Sequence, residues 1–385
     1  MGPERPATER TILDAWAASP PRIPVLVGAS GSGRTTLLLR IADRLGAGRC
    51  QFIDAERAAS TPEAFWTAVE TSSPYAVSHG SLAARGDHSA RAAFDSLRSF
   101  FQQARGGDGR VATFLLDELL ELRAFSSFPG LRGALPELVE ALADSPNRFA
   151  IATRYGNRAQ RLLQKHGARF ALVHLPPLSV AEVAAALSQA GVNRESTEYG
   201  ELTRLVHVLT VGRPAYVGAL AKALAAPGGG DPVAVLAAQL GEGEPLCQTC
   251  RLAYEIRLAG ARGHGSLKAI LQVLAAEEPL TLTAIANRLG RTPGSTRDYL
   301  SWLEDVDLIR VDRKRYSFSD PLLRVWVRLH ARPMPPAKAD LAREAHEYAV
   351  SRLPYLEATT PVPEPPRPVR RPVVQTRTRS IIEID

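Results

Sequence analysis

The stretch Ile23-Pro24-Val25-Leu26-Val27-Gly28-Ala29-Ser30-Gly31-Ser32-Gly33-Arg34-Thr35-Thr36-Leu37 constrains this chain more than any other. The apolar run Ile23 to Val27 reads as a buried strand. A glycine-rich turn follows, and an apolar helix starts behind it. The glycines let backbone N–H groups turn inward, and the helix beginning near Gly33 adds the positive end of its dipole. Strand, turn and helix in that order form a cradle for phosphate oxygens.

The spacing is that of the P-loop, G-x-x-x-x-G-K-[ST], with Gly28, Gly33 and Thr35 in place and Arg34 where Lys belongs. Gly28, Ser30, Gly31, Ser32, Gly33, Arg34, Thr35 and Thr36 are therefore the expected phosphate-facing set, with the Thr35 hydroxyl placed for Mg²⁺. Arginine is a planar fork and lysine a compact point charge, so the exchange is not neutral. Lysine is scarce throughout, limited to Lys165, Lys222, Lys268, Lys314 and Lys338, so general replacement by arginine also accounts for Arg34. Nucleotide binding is compatible with the change, and hydrolysis is left open.

A second acidic strand end supports the first motif. Val111-Ala112-Thr113-Phe114-Leu115-Leu116-Asp117-Glu118 is apolar until its last two residues. A strand buried on both faces reads this way, and its carboxylates emerge at the carboxyl end, beside the phosphates. Asp117 is the candidate Mg²⁺ partner, and Glu118 the candidate base for the attacking water. Further strands are expected at 49–54, 148–152 and 169–175, with helices at 8–18, 62–70, 91–104, 136–143 and 158–166. That alternation predicts a parallel sheet with helices on both faces.

Residues 1–175 form the expected α/β nucleotide-binding domain. Residues 176–262 are Ala- and Leu-rich and predict an all-α lid. Residues 263–354 predict a winged helix: helices near 267–275, 281–290 and 292–303, a hairpin of 308–311 with 315–318, and closing helices at 322–330 and 337–352. Residues 355–385 are rich in Pro and Arg, which predicts a disordered tail. Ser72 to Ala90 reads as a mobile insertion. Cys247-Gln-Thr-Cys250 offers only half of a zinc site, and packing inward suits it better.

No apolar run approaches the roughly 20 residues of a membrane span. The N-terminus has no secretory h-region, so a cytoplasmic location is expected. Net charge is +7 with pI near 9.5, which permits an anionic partner without requiring one.

In sequence, the region Ile23 to His330 resembles STAND-class P-loop ATPases of the archaeal-ATPase-like and NB-ARC-like kind, relatives of the AAA proteins. The likeness rests on Gly28 to Thr35, Leu115-Leu116-Asp117-Glu118, Ala152-Thr153-Arg154 and Gly212-Arg213-Pro214. Leu175-Pro176-Pro177-Leu178-Ser179 and Phe318-Ser319-Asp320-Pro321 add to it. The resemblance implies that Arg154 reads the γ-phosphate and that Pro214 packs near adenine. It also implies ATP and Mg²⁺ as cofactors, a two-state hinge, and nucleotide-dependent homo-oligomers acting through protein partners. Arg34 departs from the family pattern, and so does Ser319, where many relatives carry His.

Three functions stay open: a switch acting through partner proteins, a DNA-binding ATPase resembling origin-recognition proteins, and an adaptor with a structural nucleotide. Arg291, Arg297, Arg310, Arg313, Lys314 and Arg315 favour DNA; Asp298, Glu304, Asp305, Asp307 and Asp312 weigh against it. In the tail, Ser380 to Asp385 is a candidate strand for docking on a partner's sheet edge.

Overall fold

The computed structural model describes residues 5–358 apart from 47, 59, 76–88, 108, 194–197, 260, 262 and 333. The docking strand expected at Ser380 to Asp385 and most of the insertion expected at Ser72 to Ala90 lie outside the described residues.

Helix α1 (Pro6–Ala17) precedes β1 (Ile23–Val27), and α2 (Arg34–Leu45) follows the glycine turn. Then come β2 (Gln51–Asp54), α3 (Ala55–Ala58), α4 (Pro62–Thr71), α5 (Ala90–Gln103) and β3 (Thr113–Asp117). A 3-10 helix (Leu119–Ser127), α6 (Ala134–Asp144), β4 (Arg148–Thr153), α7 (Gly156–Leu163) and β5 (Phe170–His174) complete the domain. The strands form one parallel sheet in the order β2-β3-β4-β1-β5. Every residue of β1 and β3 is buried, which is why both read as continuous apolar runs.

The two faces of the sheet pack separately. Leu26, Leu115, Ala150 and Ala152 meet Ile12 and Trp16 of α1 and Leu37, Leu38 and Ile41 of α2. The alternate residues Val25, Phe114, Leu116, Phe149 and Ile151 join Phe94, Leu97, Phe100 and Phe101 of α5 and Leu138 and Leu142 of α6. Period-two alternation thus covers both faces with helices, as expected.

The lid comprises α8 (Val180–Gln189), α9 (Tyr199–Thr210), α10 (Pro214–Ala225), α11 (Pro232–Gln239) and α12 (Pro245–Leu258). Ser179 caps α8 in a reciprocal box with Glu182, which fixes where the lid starts. Cys247 and Cys250 are buried on α12 and pack inward.

The winged helix comprises α13 (His264–Ala276), β6 (Leu280–Thr281), α14 (Leu282–Arg288), α15 (Pro293–Asp305), β7 (Ile309–Asp312) and β8 (Arg315–Phe318), followed by α16 (Pro321–His330). The wing is three-stranded, because β6 adds to β8 beside the expected hairpin. The last helix, α17 (Lys338–Ala358), runs past the expected end at 352 and packs back onto the lid. There the Tyr348 hydroxyl donates to the Leu209 carbonyl at 2.8 Å. The helix expected over 158–166 is broken instead into α7 and a single 3-10 turn, Gln164–His166. Among the described residues no helix is long and apolar enough to cross a membrane.

Candidate nucleotide site

The glycine turn adopts the conformation its sequence requires. Gly31 and Gly33 have φ of +76° and +90°, a region that glycine enters at little cost. No side chain caps α2, so its first N–H groups stay available to an anion. A Cβ on Gly28 would lie 2.6 Å from Ser32 Oγ, and one on Gly31 would lie 2.7 Å from Ala215 Cβ. The lid therefore touches the loop directly, and the Ala215 N–H donates to the Gly31 carbonyl at 3.1 Å.

A cavity of about 290 Å³ lies over the start of α2. Gly31, Ser32, Gly33, Arg34, Thr35, Thr36 and Pro214 of the expected set line it. Gly28 and Ser30 belong to the same turn but are not on its wall. Arg5, Leu37, Arg40 and Ala215 also line it and were not anticipated from the sequence. Arg5 is buried, gives Nη1 to the Pro176 carbonyl at 2.8 Å, and keeps Nη2 without a hydrogen-bond partner. Nothing in local spacing marks Arg5, since its partner is 171 residues away.

Asp117 and Glu118 stand at the carboxyl end of β3, on the inner side of the loop. Thr35 Oγ1 donates to Asp117 Oδ2 at 2.6 Å, while Asp117 Oδ1 is buried without a partner. Burial pushes the Asp117 carboxyl above its usual range, against the lowering effect of the Thr35 hydrogen bond. An orphaned carboxylate oxygen beside a threonine hydroxyl fits Mg²⁺, a hard cation that accepts few protein oxygens and completes its shell with phosphate and water. Among the described residues no group of three or more His, Cys, Asp or Glu could hold a metal unaided.

Glu118 sits in the left-handed region, φ +49°, so its side chain turns across the strand end. It accepts from Arg34 Nη2 at 2.5 Å and from the Arg154 backbone N–H at 3.1 Å. Arg154 follows β4 and its guanidinium pairs with Glu118 at 3.2 Å and with Glu56. Burial would lower the Arg154 pKa, but Glu118 and Glu56 outweigh it and hold the group above its ordinary value. Arg154 thus lies beside Glu118 and off the cavity wall.

Arg213 connects three parts of the chain. Its Nη1 lies 3.3 Å from the Ser30 carbonyl in the loop and 2.7 Å from Asp320 Oδ2 at the start of α16. The Tyr216 hydroxyl donates to the same Asp320 oxygen at 2.6 Å. Nearby, Arg257 is fully buried and donates to the Asp307 carbonyl at 3.3 Å, with Nε and Nη2 unpartnered. Burial, helped by Arg213, pushes its pKa down to about 10.

The winged helix meets α7, behind the sheet's carboxyl end, through the C-terminal end of α15 and the residues just after it. Asp307 Oδ2 accepts the Gly156 N–H at 2.8 Å, Asp305 pairs with Arg161 at 2.5 Å, and Asn157 donates to the Glu304 carbonyl at 3.2 Å. Two of the acids counted against DNA, Asp305 and Asp307, therefore spend their carboxylates on this internal contact, while Glu304 gives it only a backbone carbonyl. Arg297, at the other end of α15, is exposed, as are Arg313, Lys314 and Arg315 on the wing. Arg313 and Lys314 form the wing tip with φ of +46° and +64°.

Residues 268–313 match the family model of the IclR helix-turn-helix domain. That match spans α13 through β7 and shows a helix-turn-helix there. No curated protein matches the sequence. The structure is similar to a Walker-type ATPase of Pyrococcus abyssi, at 16% identity, 84% of this chain, 95% of that chain and TM-score 0.58. It is also similar to the ORC1 protein of Aeropyrum pernix in complex with DNA, at 15% identity, 92% of this chain, 95% of that chain and TM-score 0.42. The first likeness shows the fold of a P-loop ATPase; the second is too distant to add to it.

Proposed function

We propose that this chain is an ATP-dependent switch of the STAND or AAA type, whose winged helix engages DNA. The observation that carries this reading is Arg213, shared between the phosphate-binding turn and Asp320 of the winged helix. A ligand shifts a two-state equilibrium only through contacts that differ between the states. Arg213 supplies such a contact, because the guanidinium that Asp320 holds also bonds the Ser30 carbonyl, so a phosphate that shifts the turn changes its share in the Asp320 pair.

The residues divide the work. The turn from Gly28 to Thr36 and the dipole of α2 hold the phosphates. Thr35 and Asp117 hold Mg²⁺, which when bound neutralises charge on the phosphate oxygens. Pro214 and Arg5 close the wall of the cavity. Arg154 senses the far side through Glu118. Arg297 and the wing residues Arg313, Lys314 and Arg315 face outward and suit a phosphate backbone.

Calorimetry of Mg-ATP on the full chain, with gel shifts across a salt series with ATP, ADP or no nucleotide, tests the proposal. Tight Mg-ATP binding and a nucleotide-dependent DNA affinity are expected. No adenine nucleotide binding would remove the reading. A second reading sends the output to a protein partner, favoured by the exposed apolar residues Val350, Leu353 and Tyr355 on α17. Pull-down with and without ATP separates the two.

A further inference from the structure

The arginine at the lysine position does something that a lysine cannot. Its guanidinium folds back beneath the turn. Nη1 donates to the carbonyls of Gly28 and, at 2.7 Å, Ala29, while Nη2 reaches Glu118 Oε1 at 2.5 Å. Both side chains are only 6% exposed. A forked cation can hold loop carbonyls and a carboxylate at once; a point charge on a single stem cannot do so with the same geometry.

The carboxylate is correspondingly occupied. Oε1 faces Arg34 Nη2 and, at 3.2 Å, Arg154 Nε, and Oε2 takes the Arg154 backbone N–H at 3.1 Å. A carboxylate has about four acceptor positions. Two are taken by hydrogen bonds from fixed, buried N–H groups of two arginines, one on each oxygen, and the Arg154 guanidinium adds a charge contact on Oε1. A general base needs an oxygen turned toward the water it deprotonates. Glu118 is turned instead toward the floor of the loop.

We infer that Arg34 is a positioning residue that holds Glu118 away from the attacking water, so that the site retains Mg-ATP and hydrolyses it slowly. This rests on the proposed ATP-binding role. The chain then changes state chiefly when nucleotide binds or leaves, and turnover is a minor route. Arg34 acts as a brake built into the primary phosphate-binding motif.

The test uses the full chain. Wild type incubated with Mg-ATP, desalted and acid-quenched should carry ATP. Arg34→Lys should raise kcat for phosphate release at least tenfold with KM within threefold, and adding Glu118→Gln to Arg34→Lys should abolish the gain. Bound ADP in the wild type, or an Arg34→Lys protein that binds ATP yet turns over no faster, overturns the inference. A gain that survives Glu118→Gln overturns it too. Wild type that carries no nucleotide and shows no calorimetric binding instead removes the ATP-binding reading itself. The wild-type measurement stands even where the lysine variant fails to fold.

Discussion

Arg213 Nη1 lies 2.7 Å from Asp320 Oδ2, an ion pair that joins the first residues of the lid helix to the start of the helix after the wing. The side chains are 14% and 3% exposed, so the pair is shielded from solvent. Removing one partner of such a pair costs about 3–5 kcal/mol, because the other charge stays buried. Arg213→Met is therefore expected to lower stability by about 3 kcal/mol. DNA affinity in that variant should become insensitive to nucleotide. Urea unfolding and gel shifts with ATP and ADP check the two parts.

Gly31 separates lid from loop by little more than its own missing side chain. Alanine there meets both a φ of +76° and the Ala215 Cβ at 2.7 Å. Neither neighbour can yield cheaply, since one is backbone geometry and the other a side chain with no rotamer. Gly31→Ala should weaken Mg-ATP binding at least tenfold, about 1.4 kcal/mol, read by calorimetry. Gly290→Ala, at positive φ in the winged helix with nothing within 4 Å, should leave ATP binding unchanged.

What was legible in the sequence follows from how local each signal is. Ile23 to Val27 and Thr113 to Asp117 are buried on both faces, so their composition alone identifies them. The strand Leu280–Thr281 is two residues long and exists only because β8 accepts it. The glycine turn between β1 and α2 was readable because one motif carries it. The Arg34–Glu118 pair spans 84 positions, and no spacing rule connects its members. Asp305 and Asp307 looked like repulsion toward DNA; that their carboxylates are spent on Arg161 and Gly156 at α7 is a tertiary fact.

Glu118 is the shared partner of two buried guanidinium groups. Glu118→Ala leaves Arg34 and Arg154 with one carboxylate, Glu56, between them. Loss of about 3 kcal/mol is expected, measured by chemical denaturation. Adding Arg34→Met to Glu118→Ala should recover part of that loss, since an apolar side chain leaves no unpaired charge.

Asp117 gives the site a pH dependence with a definite sign. Its carboxyl is raised above the unfolded value, so without a cation its contribution to stability is complete below the unfolded pKa and is lost as pH rises through the folded pKa. The metal-free protein should therefore lose stability relative to Asp117→Asn as pH climbs out of the acid range. Mg²⁺ requires the ionised form, so Mg-ATP affinity should fall as pH is lowered. Thermal melts and calorimetry from pH 4 to 8 read both slopes; parallel melts for the two proteins would contradict the assignment.

The exposed cations of the winged helix divide by the kind of contact each can make. Arg313 and Lys314 are exposed at the tight turn of the wing tip, and as cations on a wing they suit phosphate contacts rather than base edges. Changing either to alanine should weaken binding to all sequences alike and reduce the slope of log K against log salt by about 1. Arg297 lies on α15 at the end turned away from α7, where a recognition helix faces the major groove. Arg297→Ala should cost about 1–3 kcal/mol on a preferred site and little elsewhere, so that specificity falls while the salt slope barely moves. Gel shifts with one selected and one scrambled duplex at several salt concentrations separate the two classes. If all three variants change the slope equally and none changes specificity, α15 is not reading bases, and the winged helix holds DNA by charge alone.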